Sequence, residues 1–182
     1  MLEKVIIAGA GGQGIMLMGK VLAEACLRED KYVTWLPSYG AEVRGGTAHC
    51  MVVISDEEIG SPYVREADTL IIMNAPSLVR FKERLKSNGL LIVNSSLVLK
   101  DVDKKAHILK YPFTDISLKL GNIKVANMIA LGCYAAGKSI IDLESVLRVI
   151  DEIAPPDKKE LVEINKKALS TGAELVGLYG KS

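Results

Sequence analysis

Cysteine and histidine are scarce in this chain of 182 residues. The three cysteines, Cys26, Cys50 and Cys133, share no C-x-x-C spacing, which argues against a local iron–sulfur or zinc motif. Each reads as a small buried hydrophobe of a reducing compartment. His49 and His107 are the only histidines, too few for a histidine-based metal site. Neither sign of charge is in excess. The 23 basic and 22 acidic residues leave a net charge of +1, so nothing calls for nucleic acid or a membrane surface as partner. No apolar run is long enough to span a bilayer. Glu3 and Lys4 precede a short strand rather than a signal-peptide core, and a cytoplasmic location is the expectation. There is no G-x-S-x-G, no H-E-x-x-H and no arguable Cys–His pair, so no catalytic residue and no metal ligand is assigned. Gly132-Cys133-Tyr134-Ala135-Ala136-Gly137-Lys138-Ser139 fits a Walker A by its letters alone. It falls in a predicted helix, not between a strand and a helix, and is set aside.

What is present is a well-supplied core, with 49% hydrophobic residues, and a glycine cluster after the first apolar run. One α/β domain over residues 1–182 is expected, an open, mostly parallel Rossmann-like sheet flanked by helices. Val5-Ile6-Ile7-Ala8 leads into Gly9-Ala10-Gly11-Gly12-Gln13-Gly14, and helical periodicity follows at Ile15, Met18, Gly19, Leu22, Ala25 and Cys26. Gly9, Gly11 and Gly14 match G-x-G-x-x-G in the strand–turn–helix context that gives the pattern its meaning. Glycine lets backbone N–H groups approach an anion at a helix N-terminus. The pattern does not choose the ligand. A nicotinamide site wants a carboxylate at the end of the second strand, and Val33–Leu36 runs into Pro37-Ser38-Tyr39 instead. Glu29 and Asp30 have roughly the spacing but precede the strand. An anion site for another phosphate-bearing ligand, a nicotinamide site and a turn serving packing alone all stay open.

The segment from Pro37 to Cys50 is the second informative stretch. Tyr39, Glu42 and Arg44 sit among Gly40, Gly45 and Gly46. An arginine beside two glycines can fork onto a phosphate or carboxylate where the bare backbone lets it come close. An internal Glu42–Arg44 pair in a solvated turn is the plainer alternative. Strands are expected over Thr47–Ser55, Ala67–Met73 and Leu90–Val93, with a short edge strand over Ala106–Leu109. Pro76 opens a helix over Ser77–Lys86 that Asn88-Gly89 caps. Phe113–Leu120 is a short helix ended by Gly121. Asn122 to Ala136 is apolar on nearly every side, a buried helix stopped by Gly137. Ile141–Ile153 is a further helix broken by Pro155-Pro156. A last helix runs from Asp157 to about Tyr179, with Leu161, Ile164, Ala168, Leu175 and Leu178 as its apolar stripe. Ligands of open α/β sheets bind beyond the carboxyl ends of the strands. Gly11, Gly12, Gln13, Gly14, the Tyr39–Gly46 loop, Asn74 and Asn94-Ser95-Ser96 therefore fall along one rim.

Gly9–Ile15, Tyr39-Gly40-Ala41-Glu42-Val43-Arg44-Gly45-Gly46-Thr47-Ala48, Ile54-Ser55-Asp56 and Ile59-Gly60-Ser61-Pro62 resemble the gamma subunit of the 2-oxoacid:ferredoxin oxidoreductases. Asn94-Ser95-Ser96 and Asn127–Gly132 extend the resemblance, in order, over nearly the whole chain. It implies a subunit of an enzyme converting a 2-oxoacid, CoA and oxidised ferredoxin to acyl-CoA, carbon dioxide and reduced ferredoxin. Thiamine diphosphate and iron–sulfur clusters are implied on partner alpha, beta and ferredoxin-like delta subunits, with this chain inactive alone. The gamma-type domain is associated with CoA binding and active-site assembly. That assigns cofactor contacts to Gly11, Gly12, Gln13, Gly14, Tyr39, Glu42, Arg44, Gly45, Gly46 and Asn94. The loop is most similar to 2-oxoglutarate-type subunits, with pyruvate and branched-chain types close. Ala41 departs from a common proline, which loosens the loop without removing its polar groups.

Overall fold

The computed structural model describes residues 1–38, 47–99, 106–153 and 159–179. Its centre is a sheet of six strands in the order β2-β3-β1-β4-β5-β6. These are β1 (Leu2–Ala10), β2 (Tyr32–Ser38), β3 (Thr47–Ser55), β4 (Ala67–Ile72), β5 (Leu85–Asn94) and β6 (His107–Tyr111). β1, β4, β5 and β6 are mutually parallel. β3 runs antiparallel to both of its neighbours, β1 and β2. The sheet is thus mostly parallel, as its apolar strands predict, with one reversed strand inserted beside β1.

Alternation along β1 divides the core. Val5 and Ile7 point to one face, and Ile6 and Ala8 to the other. The first face carries α1 (Ile15–Leu27), α3 (Phe113–Lys119), α4 (Ala126–Lys138), α5 (Leu143–Ile153) and α6 (Lys159–Tyr179). The second face carries one short helix, α2 (Ala75–Phe81), with Val64 and Val98 from neighbouring segments. α4 is buried from Ala126 through Ala135, as a helix apolar all round must be. Cys26, Cys50 and Cys133 are free and buried, and burial pushes each thiol up to about 12. They behave as the small hydrophobes their spacing suggests.

Four sequence expectations are corrected. The helix expected over Ser77–Lys86 ends at Phe81, with a 3-10 turn over Lys82–Arg84. Asn88-Gly89 is not its cap but lies inside β5, where the register with β4 shifts between Ala67 and Thr69. A Cβ on Gly89 would stand 3.0 Å from the Asp68 carbonyl oxygen, so close strand packing requires the glycine. Gly137 does not stop α4, which runs to Lys138 and ends on Ser139 in the left-handed region (φ 51°). On α6, Leu161 is exposed, while Leu169 joins Ala168 in the core. The Walker A look-alike at Gly132–Ser139 lies within and at the end of α4, as its context predicts.

Candidate functional site: the carboxyl rim

β1 is followed by α1 on the first face, and its parallel neighbour β4 by α2 on the second. Connections leaving adjacent strands toward opposite faces open a crevice at the strands' carboxyl ends, the position where open α/β sheets take ligands. The glycine turn forms one lip. Gly11 and Gly12 are exposed. Gly12 (φ +89°) and Gly14 (φ +71°) occupy the left-handed region that side chains avoid. Gly14 is the N-cap of α1, which has no side-chain cap and no acidic residue in its first turn. The first-turn N–H groups of a 13-residue helix thus open on the crevice, with the positive end of its dipole.

Gln13 crosses that crevice. Its Oε1 accepts from the Ala10 N–H at 2.7 Å, and its Nε2 donates to the Met73 carbonyl at 3.3 Å. Asn94, fully buried at the end of β5, donates to the same carbonyl at 3.3 Å and to Thr114 Oγ1 at 2.9 Å. Its Oδ1 accepts from the Thr114 N–H. The Met73 N–H in turn donates to the Ala8 carbonyl at 2.8 Å. The side chains of Gln13 and Asn94 therefore hold the rim together. Asn74 caps α2 by accepting from the Ser77 N–H at 3.0 Å. Among the described members of the predicted set, the exposed backbone of Gly11 and Gly12 is the part left open.

The structure brings Gly11–Gly14, Asn74 and Asn94 to one rim. Tyr39, Glu42, Arg44, Gly45 and Gly46 lie outside the described residues. β2 ends at Ser38 and β3 begins at Thr47, and both positions lie at this rim, beside the end of β1. Sequence reasoning missed Asn127 as a rim residue. Its Nδ2 donates to the Gly14 carbonyl at 3.1 Å, fixing the start of α4 against the start of α1. The signal was a polar residue in an otherwise apolar helix. His49 and Ser77 were missed too. Both are buried, and His49 Nδ1 and Ser77 Oγ have no hydrogen-bond partner. Burial, with smaller contributions from Arg80 and Arg84, holds the His49 imidazole below its usual range.

A nicotinamide site fits poorly here. β3 separates β2 from β1, so the end of β2 does not adjoin the glycine turn, and β2 carries no carboxylate. Glu29 pairs with Lys31 at 3.2 Å and accepts from the Asp142 N–H, in the turn that leads from α1 into β2, away from the rim. The donor set for iron–sulfur chemistry is likewise wrong. The cysteines sit in α1, β3 and α4, and no three metal-ligating side chains gather among the described residues. No helix among the described residues is long and apolar enough to cross a membrane.

The model of the family described as pyruvate ferredoxin/flavodoxin oxidoreductase matches residues 4–175. Ketoisovalerate oxidoreductase subunit VorA of Methanothermobacter thermautotrophicus is 36% identical over 172 residues, covering 94% of this chain and 36% of that protein. The chain thus spans about a third of the VorA polypeptide. 2-Oxoglutarate synthase subunit KorC of Methanothermobacter marburgensis is 33% identical over 184 residues, covering 97% of each. Among solved structures, the keto/oxoacid ferredoxin oxidoreductase gamma subunit of Geobacter sulfurreducens superposes with a TM-score of 0.87 at 28% identity, covering 98% of both chains. The 2-oxoglutarate:ferredoxin oxidoreductase of Magnetococcus marinus, solved with 2-oxoglutarate, coenzyme A and succinyl-CoA, shares the fold (TM-score 0.90, 21% identity, covering 100% of this chain and 32% of that one). On the match over residues 4–175, the chain belongs to the pyruvate ferredoxin/flavodoxin oxidoreductase family, among its gamma-type subunits.

Proposed function

We propose that this chain is the gamma subunit of an enzyme that oxidatively decarboxylates a 2-oxoacid to an acyl-CoA and reduces ferredoxin. In this reading its carboxyl rim contributes to binding CoA. The observation that carries it is the uncapped start of α1 beneath exposed Gly11 and Gly12, at the crevice between β1 and β4. Backbone N–H groups and a helix dipole at one point suit a phosphate. Arg44, from the segment that leaves and rejoins the sheet at this rim, supplies the charge that backbone alone lacks. Gly45 and Gly46 let the ligand come close, and Tyr39 and Glu42 shape the mouth or the subunit contact.

Of the possible substrates, 2-oxoglutarate is favoured. The KorC relatives match this chain over nearly their whole length at 33% and 34% identity, above the 31% of a separate pyruvate/ketoisovalerate gamma subunit, whereas VorA carries it within a longer polypeptide. Thiamine diphosphate and the iron–sulfur clusters belong to alpha, beta and delta-type partners, in keeping with three dispersed, buried cysteines here. The test is steady-state kinetics of the assembled enzyme carrying Arg44→Ala. Losing a charge-assisted contact worth about 1.5–3 kcal/mol raises the KM for CoA by about ten- to a hundredfold, with kcat largely kept. An unchanged KM for CoA would remove the role assigned to Arg44.

A further inference from the structure

On the second face of the sheet, α2 lies toward the rim, where Asn74 caps it and Phe81 meets the His49 ring. At the other end, by the start of β1, irregular chain takes the place of a helix. Leu2 and Lys4 continue the alternation of Ile6 and Ala8 onto this face. Leu2 stands opposite Ser55 of β3, and Ser55 opposite Tyr32 of β2. Lys4 stands opposite Val53. Residues 57–63, from the connection between β3 and β4, form a wall beside these side chains. Together they shape a cavity of about 430 Å³, whose lining includes Leu2, Lys4, Val53, Ser55, Ile59 and Tyr63. A strand rises about 3.3 Å per residue, so the length of β1 puts this cavity roughly 25 Å from the glycine turn. The Ile59-Gly60-Ser61-Pro62 stretch thus belongs to the opposite pole from the crevice.

The wall of this cavity is fixed from several sides. Ile59 packs against the second-face core, and Val64 is fully buried in it. Ser55 Oγ accepts from the Glu57 N–H at 3.0 Å, and Ser61 Oγ from the Tyr63 N–H at 3.2 Å. The Val64 N–H donates to Met51 Sδ at 3.3 Å. Arg84 donates to the carbonyls of Val64 and Arg65, and its guanidinium lies 5.4 Å from the centre of the Tyr63 ring. Tyr63 is nonetheless 58% exposed, Leu2 54% and Tyr32 49%. An aromatic ring held in place yet left in water suits an interface anchor, because it has little freedom left to lose on contact. The charges around the cavity are open as well. Among the described residues, Lys4 meets no carboxylate, and Glu57 and Glu58 meet no cation. Asp56, by contrast, pairs with the Met1 amino group at 2.5 Å.

We propose that this end of the second face is a docking surface for an extended segment of a partner subunit. The inference rests on the reading that the chain is one subunit of a larger enzyme. The segment sets an apolar side chain into the cavity, against Leu2, Val53 and Ile59. It brings a carboxylate to Lys4 and a basic side chain to Glu57 and Glu58, the complement of the charges left open. A small molecule confined to the cavity would leave the neighbouring Tyr32 uncovered. Tyr32 and Leu2 sit two strand spacings apart, about 10 Å, which three residues of extended chain span. In VorA the greater part of the polypeptide lies outside the region that this chain matches, so there the same domain has further chain to pack against.

Photo-crosslinking in the assembled enzyme tests this. p-Benzoylphenylalanine replaces Tyr63 in one sample and Leu27 in a second. Leu27 ends α1 on the first face, is 52% exposed and serves as the control. Light is expected to join position 63 to one peptide of a partner subunit, with an acidic and a basic residue beside an apolar one. No crosslink from position 63 in an assembled, active enzyme overturns the proposal. So does capture of the same peptide from both positions, which marks unspecific labelling. Tyr63→Ser and Lys4→Glu are each expected to raise the dissociation constant of the subunit by about tenfold. The KM for CoA of the enzyme that does assemble is expected to stay unchanged, because the rim is roughly 25 Å away. The crosslink is read without either variant, so it decides the matter even where one of them fails to fold. If both variants assemble as tightly as the parent into an active enzyme, this surface falls and the subunit reading stands. If the parent chain joins no enzyme that oxidises a 2-oxoacid, the subunit reading falls and this inference with it.

Discussion

The side-chain amide of Asn127 donates to the carbonyl oxygen of Gly14 at 3.1 Å, tying the first turn of α4 to the first turn of α1. A Cβ on Gly14 would stand 2.3 Å from that amide nitrogen, and the φ of +71° already excludes most side chains. The N-terminal end of α1 is therefore held by a residue 113 positions away. Asn127→Ala is expected to cost about 1 kcal/mol, because the Gly14 carbonyl loses its side-chain donor but keeps the Met18 N–H. Gly14→Ala is expected to cost more, adding about 1–2 kcal/mol of left-handed backbone strain to the clash. The double variant should cost less than the sum of the two, since truncating Asn127 removes the clashing atom. Denaturant midpoints of all four proteins measure this, and strict additivity would show that the two residues do not act on each other.

Gln13 and Asn94 converge on one acceptor, the Met73 carbonyl, but from different depths. Asn94 is fully buried and also binds Thr114 through two of its atoms, whereas Gln13 is part-exposed. Asn94→Ala is therefore expected to lose about 2–4 kcal/mol, and Gln13→Ala about 1 kcal/mol, where water can replace the amide. Thermal unfolding of the two variants checks the order. Equal losses would mean that Gln13 is as dry as Asn94.

This pair also shows what a sequence can and cannot disclose. The strand–glycine–helix motif is local, so the turn at Gly9–Gly14 and its place at the rim are legible from neighbours alone. The same holds for the apolar runs of β4 and β5 and for the buried α4. Whether a polar side chain at that rim meets a ligand or a backbone carbonyl depends on partners 60 residues distant in the case of Gln13. The reversed direction of β3 is likewise a matter of pairing, not of local pattern. Gly89 and Gly137 mislead for a related reason. Each looks like a helix end, but the space around it is set by tertiary neighbours, the Asp68 carbonyl for Gly89 and the Leu109 side chain for Gly137.

Among the described residues, Glu3 is the one carboxylate sunk into the sheet. It is 4% exposed, accepts from Thr69 Oγ1 at 2.6 Å and pairs with Lys138 at 3.1 Å. Burial outweighs both partners and raises its carboxyl above the ordinary 4.5. A folded-state pKa above the unfolded one means the folded protein holds the proton more tightly. The associated stability is complete below pH 4.5 and is lost as pH rises through the higher folded value. Glu3→Gln lacks this titration. Its stability relative to the parent protein is expected to rise across that window and to level off above it. Lys138→Met at neutral pH leaves the carboxylate buried without its cation and is expected to cost about 3 kcal/mol. Urea midpoints at several pH values test both, and a pH-independent difference between Glu3→Gln and the parent would show that Glu3 is not raised.

α4 and α6 meet through two glycines that answer each other. A Cβ on Gly132 would come within 2.0 Å of the Leu169 carbonyl oxygen, and one on Gly172 within 1.9 Å of the Ile129 carbonyl oxygen. Cys133 Sγ donates to the Gly172 carbonyl at 3.0 Å across the same crossing. These obstacles are backbone, which a rotamer change cannot clear, so a single methyl group must push the helices apart. That displacement uncovers Ala168 and Leu169, both fully buried against the core. Gly132→Ala and Gly172→Ala are each expected to cost about 3 kcal/mol or more, the upper range for overpacking. Because α6 packs chiefly on α4, with α5 and the Tyr111 hydroxyl of β6 as smaller contacts, the loss should fall on α6 first. Hydrogen exchange is the discriminating measurement. Amides of α6 should lose protection in Gly172→Ala while those of β1 and β4 keep theirs. Uniform loss across the sheet would instead show that the crossing and the sheet unfold as one unit.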